Sequence, residues 1–432
     1  MFFSYDSANK LQWNLNTKNH NASKHFDLST ILNQEHIQTP CYIYSQEILE
    51  GHYLALDALL SSYFKKHEYL ICFSIKSCSN INIAKLLKNL GSGADVVSGG
   101  EILRAKEAGI NPNNIVFAGV GKTRAEIELA IETNILQLNA ESFEELEFIN
   151  EIANQKNKIA RVCVRMNPDI DAKTHKHITT GKKDNKFGIA YSEIIDGLDV
   201  RLKKFTNLQL NGFSTHIGSQ ITEIEPLEDV FTKLVNLHNH FVDLGYNLST
   251  IDFGGGLGVK YQDEFVLPPE EYASVIFKAS EKLKSKVKVI IEPGRFIAAR
   301  AGILLSKVLY VKKAGGKLFA ILDAGMNDLI RPALYEAKHS IFNLKNSNHQ
   351  HKYDIVGPVC ESACAFAKNL ELPEVKQGDT LLISNAGAYG SVMSSRYNTR
   401  PLIGEYLITK DQKLITIRRP ETYNQIFENE LN

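Results

Sequence analysis

The chain has 432 residues, of which 44% are hydrophobic and 23% charged, a composition typical of a globular protein. Lysine plus arginine and aspartate plus glutamate number 49 each, so no basic excess indicates nucleic-acid binding, and no apolar run is long enough to cross a membrane. The six cysteines, at positions 41, 72, 78, 163, 360 and 364, include no CxxC pair, so we expect no metal site and a reducing cytoplasmic location.

The first 45 residues contain one candidate strand, CYIYS at 41–45, after a polar start. From residue 69 onward, short β-prone runs alternate with longer helical patterns. Eight strands are predicted, at 69–75, 94–97, 115–118, 135–139, 160–166, 210–216, 249–253 and 288–292. Apolar residues recur at spacings of three and four between several of them, which predicts helices at 81–90, 100–109, 123–132 and 142–153.

Eight strands, each paired with a helix, fit a (β/α)8 barrel, and a doubly wound α/β sheet is the alternative because it shows the same alternation. After residue 300 the runs are mostly strand-like, at 302–311, 317–325, 353–358, 379–384, 401–408 and 413–419. We therefore predict an α/β fold with two domains. Residues 46–297 would form a (β/α)8 TIM-type barrel, and residues 1–45 and 298–432 a mainly β domain built from both chain termini.

A lysine, Lys76, follows the apolar run of the first barrel strand. Burying an ammonium group costs several kcal/mol unless it finds a partner. Either the strand ends there and the side chain extends to water, or the lysine has a function. In barrels of this type the chemistry lies at the C-terminal ends of the strands, which is where Lys76 stands.

Glycine-rich turns follow the last two barrel strands, GGGLG at 254–258 and EPGR at 292–295. Glycine lets the backbone approach a ligand closely, and barrels commonly bind phosphate with these two loops. A lysine together with a phosphate site indicates pyridoxal phosphate, held as a Schiff base. Glu292 would then pair with the ring nitrogen, and His216 would lie over the ring. An aldolase-type barrel with a bare Schiff-base lysine is the alternative.

Several segments, in the correct order, resemble the pyridoxal-phosphate decarboxylases of the alanine-racemase-like fold. They are RMNPDIDAKTHKHITTGKKDNKFGI (165–189), HIGSQI, DFGGGLG, EPGRFI, DAGMNDLIRPALY (323–335), GPVCES (357–362) and NAGAYGSVMSSRYNTRP (385–401). The resemblance covers residues 38–410 and is strongest to members that convert meso-2,6-diaminopimelate to L-lysine and carbon dioxide, the last step of lysine synthesis. That lyase reaction is the expected activity.

The resemblance implies a pyridoxal-phosphate site, with Lys76 as the Schiff-base lysine, formed by Lys76, His216, Ser219, Gly255, Gly256, Glu292, Gly294, Arg295 and Tyr389. It implies a substrate site in which Arg295, Arg331, Tyr335, Glu361 and Tyr389 contact the amino acid. Arg295, Arg331 and Tyr335 would hold the distal carboxylate, and Glu361 the distal amino group. Lys76, His216 and Cys360 are the implied catalytic residues, with either Cys360 or Lys76 as the final proton donor. Cys360 and Glu361 would come from a second subunit, which implies a homodimer with shared active sites.

The sequence departs from the family pattern at three positions. Ser77 and Cys78 follow the lysine where the family has alanine and asparagine, and Cys364 stands where it has aspartate. The alternatives within the class are decarboxylases of a carboxylated polyamine or of another basic amino acid. An amino-acid racemase would need a two-base site, and a non-enzymatic carrier of the cofactor would be a single barrel.

Overall fold

The computed structural model describes residues 3–15, 25–33, 37–66, 68–170, 185–262 and 264–431. The chain divides into two compact units. The barrel unit comprises Tyr53–Val259 and Phe265–Phe296, and the β unit comprises Met1–His52, Lys260–Glu264 and Ile297–Asn432. The boundaries expected from the sequence, 46 and 297, stay a prediction.

The described N-terminal residues form three short antiparallel strands, β1 (Phe3–Tyr5), β2 (Leu11–Asn14) and β3 (His25–Asp27). Phe3 and Trp13 stack here with ring centroids 5.8 Å apart. The sequence did not indicate these strands, because runs of three or four residues are too short to show alternation. Strand β4 (Cys41–Ser45), which was predicted, and helix α1 (Gln46–Ser61) follow.

The barrel unit contains the eight predicted strands, each within two residues of its expected bounds: β5 (Tyr69–Ser74), β6 (Gly93–Val96), β7 (Ile115–Phe117), β8 (Gln137–Ala140), β9 (Ala160–Asn167), β11 (Leu208–Ser214), β12 (Thr250–Asp252) and β13 (Lys288–Ile291). A two-residue strand, β10 (Ile189–Ala190), pairs with β9. Neighbouring strands pair in parallel throughout, and β13 pairs with β5, so the sheet closes on itself. The (β/α)8 barrel is confirmed, and a doubly wound sheet is excluded because such a sheet stays open.

Helices connect the strands: α2 (Ile81–Asn89), α3 (Gly99–Glu107), α4 (Arg124–Thr133), α5 (Phe143–Gln155), α6 (Tyr191–Leu202), α7 (Glu225–Asp243), α8 (Pro269–Ser280) and α9 (Arg295–Ala298). The side chains of Asn80, Ser98, Thr123 and Ser142 each accept a backbone N–H at the start of a helix, from α2 to α5. These N-caps satisfy donors that a helix leaves unpaired, so the strand-to-helix turns can stay short.

The β unit contains β14 (Gly302–Ala314), β15 (Lys317–Leu322), β16 (Ile341–Asn343), β17 (Gln350–Val356), β18 (Ala365–Pro373), β19 (Thr380–Ile383), β20 (Gly404–Ile408) and β21 (Leu414–Arg418), with the short helices α10 (Arg331–Tyr335) and α11 (Tyr423–Phe427). Strand β4 lies between β14 and β20, so both chain termini build this sheet, as predicted. Strands β16 and β18 were missed. Strand β18 lies at the sheet edge and exposes several polar side chains, so its sequence shows no clean alternation.

The contact between β11 and β12 leaves no room for a side chain at Gly212, where a Cβ would lie 1.9 Å from the Thr250 carbonyl oxygen. We expect Gly212→Ala to push the strands apart and to lower the free energy of unfolding by about 1–3 kcal/mol. Gly121→Ala is the matched control, because a Cβ there meets nothing within 4 Å. Calorimetric melting temperatures of the two variants measure the difference, and equal values would contradict it.

Candidate functional site

Lys76 lies in a single 3₁₀ turn, Ile75–Ser77, directly after β5. Its Nζ donates a hydrogen bond of 2.8 Å to Asp95 Oδ2, and Ser74 Oγ donates to the same oxygen at 2.6 Å. The Lys76 side chain keeps 30% of its surface exposed, whereas the Asp95 side chain is fully buried. The lysine is therefore held at the end of the barrel by the buried carboxylate of Asp95.

The turn that carries Lys76 is anchored by serine. Ser77 Oγ donates to the Ser74 carbonyl oxygen at 2.7 Å, and the Ser74 N–H donates to the Pro293 carbonyl oxygen at 3.1 Å. A Cβ on Gly294 would lie 2.9 Å from Ser77 Oγ, so this turn packs closely against the turn after β13. The unusual Ser77 thus orders the turn that presents Lys76.

The glycine loop after β12 packs tightly against its neighbours. Gly254 and Gly256 have φ angles of +69° and +126°, which only glycine adopts readily. A Cβ on Gly255 would lie 2.4 Å from the Glu292 carbonyl oxygen. The loop therefore lies directly beside the end of β13, and its glycines are required by backbone contact as well as by backbone conformation.

His216 packs against this loop as a neutral ring. Its Nδ1 accepts a hydrogen bond of 3.2 Å from the Gly255 N–H, which leaves the ring hydrogen on Nε2. Burial, together with the positive charges of Lys76 and Arg165, lowers the pKa of His216 well below its ordinary value. The imidazole thus stays uncharged at neutral pH.

Glu292, at the end of β13, is a buried carboxyl group with an open oxygen. Burial and then the charges of Asp252 and Asp95 raise its pKa well above the ordinary value, while Lys76 and Arg165 oppose the rise. Its Oε1 has no hydrogen-bond partner among the described residues. A buried oxygen in this state is suited to an N–H group supplied by a ligand.

Arg165, on β9, also belongs to the barrel site and was not singled out in the sequence. Its Nη1 donates to Glu141 Oε1 at 2.8 Å, and its Nη2 donates to the His216 carbonyl oxygen at 3.1 Å. It supports the loop that carries the imidazole. The signal that could have identified it is its position near the C-terminal end of a predicted barrel strand, where the chemistry of such barrels lies.

Ser219 and Arg295 contact each other within the barrel unit, where Arg295 Nε donates to Ser219 Oγ at 3.1 Å. Arg295 is buried, with 7% of its surface exposed. Residues 171–184 of the long segment at 165–189 lie outside the described residues. The structure thus brings Lys76, His216, Glu292 and the two glycine turns to the same end of one barrel.

In the β unit, Arg331 is buried and oriented. His339 Nδ1 lies 2.8 Å from the Ser384 carbonyl oxygen, which can only accept, so Nδ1 carries the hydrogen and donates it. His339 Nε2 then accepts from Arg331 Nη1 at 3.0 Å. The Arg331 guanidinium carbon also lies 4.6 Å from the ring centroid of Tyr261, a cation–π contact. Arg331 is therefore an internal arginine rather than a surface one, and Tyr335 follows it, half-buried, at the end of α10.

Cys360 and Glu361 lie next to each other in an exposed loop of the β unit. The Cys360 N–H donates to Asn398 Oδ1 at 2.9 Å, and the Tyr397 hydroxyl donates to the Glu361 carboxylate. Tyr389 is half-buried and has a φ of +55°, unusual for a tyrosine.

Cys364, where the resemblance has an aspartate, is buried beside this loop. Its Sγ accepts from the Met326 N–H at 3.3 Å. A Cβ on Gly357 would lie 2.6 Å from the sulfur atom. The Cys364 thiol therefore fills a closely packed position and accepts one backbone hydrogen bond, whereas Cys360 is exposed.

Comparison with known proteins identifies close relatives. The family model for the pyridoxal-dependent decarboxylase, pyridoxal binding domain, matches residues 55–299. A diaminopimelate decarboxylase of Haemophilus influenzae is 44% identical over 397 residues, which cover 91% of this chain and 93% of the relative. One from Aquifex aeolicus is 41% identical, over 91% of this chain and 92% of the relative.

Solved structures show the same fold. The diaminopimelate decarboxylase of Helicobacter pylori, complexed with L-lysine, superposes with a TM-score of 0.88 at 42% identity, covering 93% of this chain and 99% of the other. A diaminopimelate decarboxylase from M. jannaschii, also in complex with L-lysine, gives a TM-score of 0.89 at 34% identity, covering 100% and 98%. Within the described part of the chain, no helix combines the length and apolar character needed to span a bilayer.

The neutral state of His216 has a measurable consequence for the protein without cofactor. An unfolded histidine titrates near pH 6.5, whereas His216 in the folded chain titrates well below that. Above pH 6.5 neither state binds the proton. As the pH falls below 6.5 only the unfolded chain binds it, so the free energy of unfolding falls, by up to about 1.4 kcal/mol per pH unit for this residue.

We expect the free energy of unfolding of His216→Gln to fall less steeply with decreasing pH than that of the wild type. The difference in stability between the two proteins should therefore shrink between pH 7 and pH 5. Denaturant unfolding at several pH values measures the effect. Imidazole NMR signals, assigned through the same variant, report the protonation directly. A midpoint near pH 6.5 for His216 would contradict the structure.

Proposed function

We propose that this chain, a member of the diaminopimelate decarboxylase family of pyridoxal-dependent decarboxylases, binds its cofactor and substrate through the residues described above. The reaction of the family is the decarboxylation of meso-2,6-diaminopimelate to L-lysine, and the chain is a lyase that uses pyridoxal phosphate. The L-lysine bound in two related structures agrees with lysine as the product.

One observation carries the assignment of the cofactor site. Lys76 follows β5 and Glu292 follows β13, and these two strands pair with each other. Glu292 Oε1 is buried without a hydrogen-bond partner among the described residues. These groups fit pyridoxal phosphate, because Lys76 would hold its aldehyde carbon and Glu292 its ring nitrogen. When bound, the cofactor provides an electron sink for the electron pair left by the departing carbon dioxide.

The other barrel residues would orient the cofactor. His216, neutral and held through Nδ1 by the Gly255 N–H, would stack on the ring without adding charge. Asp95 would hold the Lys76 ammonium in place whenever the lysine is not bonded to the cofactor. The remaining residues would hold the phosphate and close the site: Ser219, Gly255, Gly256, Gly294, Arg295 and Tyr389.

Diaminopimelate has one carboxylate more than lysine. A site that decarboxylates diaminopimelate but not lysine must therefore also recognise the carboxylate at the distal end of the substrate. Arg295, Arg331 and Tyr335 would bind the distal carboxylate, since guanidinium groups form strong, charge-assisted bonds with carboxylates. The orientation of Arg331 by neutral His339 supports this role, because His339 does not compete for the negative charge. Glu361 would receive the distal amino group.

We also propose that the chain works as a homodimer with shared active sites. Cys360 and Glu361 are exposed in the single chain, although their proposed roles require contact with the substrate. A second subunit would cover them and place Cys360 where it delivers a proton to the substrate carbon, the alternative donor being Lys76. All six cysteines are free thiols, which favours a reducing cytoplasm.

Purified protein supplied with pyridoxal phosphate should release carbon dioxide from meso-diaminopimelate and much less from lysine or ornithine, which lack the distal carboxylate. Arg331→Met should lower kcat/KM for diaminopimelate by about 10²-fold, because a buried charge pair typically contributes a few kcal/mol to binding. Arg419→Met, which removes an exposed arginine of the same unit, is the matched control. Equal rates with lysine and diaminopimelate would overturn the assignment of the distal site.

Cys360→Ala should keep cofactor binding and lower turnover by about 10²–10⁴-fold, the usual effect of removing a general acid. Cys364→Ala removes the neighbouring buried thiol and should keep most of the activity. Mixing inactive Lys76→Ala subunits with Cys360→Ala subunits should restore activity, because a mixed dimer contains one site with both residues intact.

Subunit exchange in that experiment is verified by placing a different affinity tag on each variant. Confirmed heterodimers without recovered activity would show that Cys360 does not act across a subunit boundary.

A further inference from the structure

A row of buried polar side chains crosses the interior of the barrel. Thr250 Oγ1 lies 2.7 Å from Gln137 Oε1, and Gln137 Nε2 lies 2.9 Å from Asn139 Oδ1. Asn139 Nδ2 lies 3.5 Å from Asp252 Oδ2, and all four residues are buried. Interiors of (β/α)8 barrels are usually filled by bulky apolar side chains, so this row needs a physical reason.

The hydrogen bonds in the row all run in one direction. The Thr250 hydroxyl donates to Gln137, the Gln137 amide to Asn139, and the Asn139 amide to Asp252. Reversing the amides would aim the Asn139 carbonyl oxygen at the Asp252 carboxyl group. The Gly254 N–H also donates to Asp252 Oδ1 at 3.0 Å. Two donors therefore converge on Asp252, which favours its charged form.

Asp252 stands opposite Ile290 in the pairing of β12 with β13, and the Glu292 N–H donates to the Gly254 carbonyl oxygen at 2.8 Å. The Asp252 carboxyl group therefore lies beside that of Glu292 and shares a hydrogen bond with it. Two buried carboxyl groups in contact cannot both be ionised without strong repulsion, so one of them keeps a proton. Burial raises the pKa of Asp252 to about 6 and that of Glu292 still further above its ordinary value. The convergent donors thus place the negative charge on Asp252 and the proton on Glu292.

We propose that Asp252, aligned by Asn139, is a positioning residue that shares one proton with Glu292 and thereby fixes Glu292 Oε1 in place for the ring nitrogen of the cofactor. The inference rests on the proposed function, in which Glu292 receives that nitrogen. The hydrogen-bonded pair carries a single negative charge, enough to balance one protonated ring nitrogen. Asp95, Lys76 and Arg165 are the other charged groups that act on Glu292.

The affinity for the cofactor tests this role without measuring turnover. Asp252→Asn should weaken the binding of pyridoxal phosphate to the apoprotein about tenfold or more. It should leave the binding of a deaza analogue, in which carbon replaces the ring nitrogen, unchanged. In a Glu292→Gln background, Asp252→Asn should not weaken cofactor binding further, because the carboxyl group of Glu292 that Asp252 positions is already absent. Asp354→Asn, which removes a buried carboxylate of the β unit, is the matched control.

Asn139→Ala tests the row without altering either carboxyl group. It should lower the affinity for pyridoxal phosphate less than Asp252→Asn does. It should also lower that affinity more than the affinity for the deaza analogue. This variant keeps the inference testable if Asp252→Asn does not fold. An equal loss of affinity for pyridoxal phosphate and for the deaza analogue in these variants would show that Asp252 and Asn139 are merely structural, and it would overturn the inference.

Infrared spectra of the apoprotein report the shared proton directly. Burial also raises the pKa of Glu101 and of Asp328 to about 7, so the band of Glu292 is isolated at pH 7 as the difference between the wild type and Glu292→Gln. This carboxylic-acid band should be shifted or lost in Asp252→Asn. An unchanged band in Asp252→Asn would overturn the inference while leaving the proposed function intact. Failure of the wild-type chain to bind pyridoxal phosphate at all would instead overturn the proposed function.

Discussion

The pairing of β5 with β6 sets the contact on which the barrel site depends. In this register Ser74 stands opposite Asp95, and the next turn of chain brings the Lys76 ammonium to the same carboxylate. A buried aspartate needs a cation or several donors, and a lysine at a strand end needs an anion. Each residue thus satisfies the other at the C-terminal end of the barrel strands.

Charge balance governs the rest of the barrel end. Three buried carboxyl groups, Asp95, Asp252 and Glu292, act on one another, and Lys76 and Arg165 provide the opposing positive charge. Because the acids outnumber the cations in this set, one acid is most stable in its protonated form. Arg165 is also paired with the buried carboxylate of Glu141. With one acid protonated, the set therefore keeps one negative charge in excess, which a cofactor with a protonated ring nitrogen would balance.

The proposed site residues of the β unit are of two kinds, buried and exposed. Arg331 is buried, and its orientation depends on the tautomer of His339, which the Ser384 carbonyl oxygen determines. Cys360 and Glu361 are exposed on a loop instead. This difference is the reason for the proposal that a second subunit covers Cys360 and Glu361.

The sequence by itself determined the eight barrel strands, the sheet built from both termini, and the strand-end residues Lys76, His216 and Glu292. Hydrophobic periodicity and turn composition are local properties, so they can be read along the chain. It did not reveal the short strands β1 to β3, the edge strand β18, or the roles of Asp95, Arg165 and Asp252. Only the tertiary structure revealed the contacts of these residues, because a carboxylate acquires its partner through strand register, and register joins residues that are far apart in sequence.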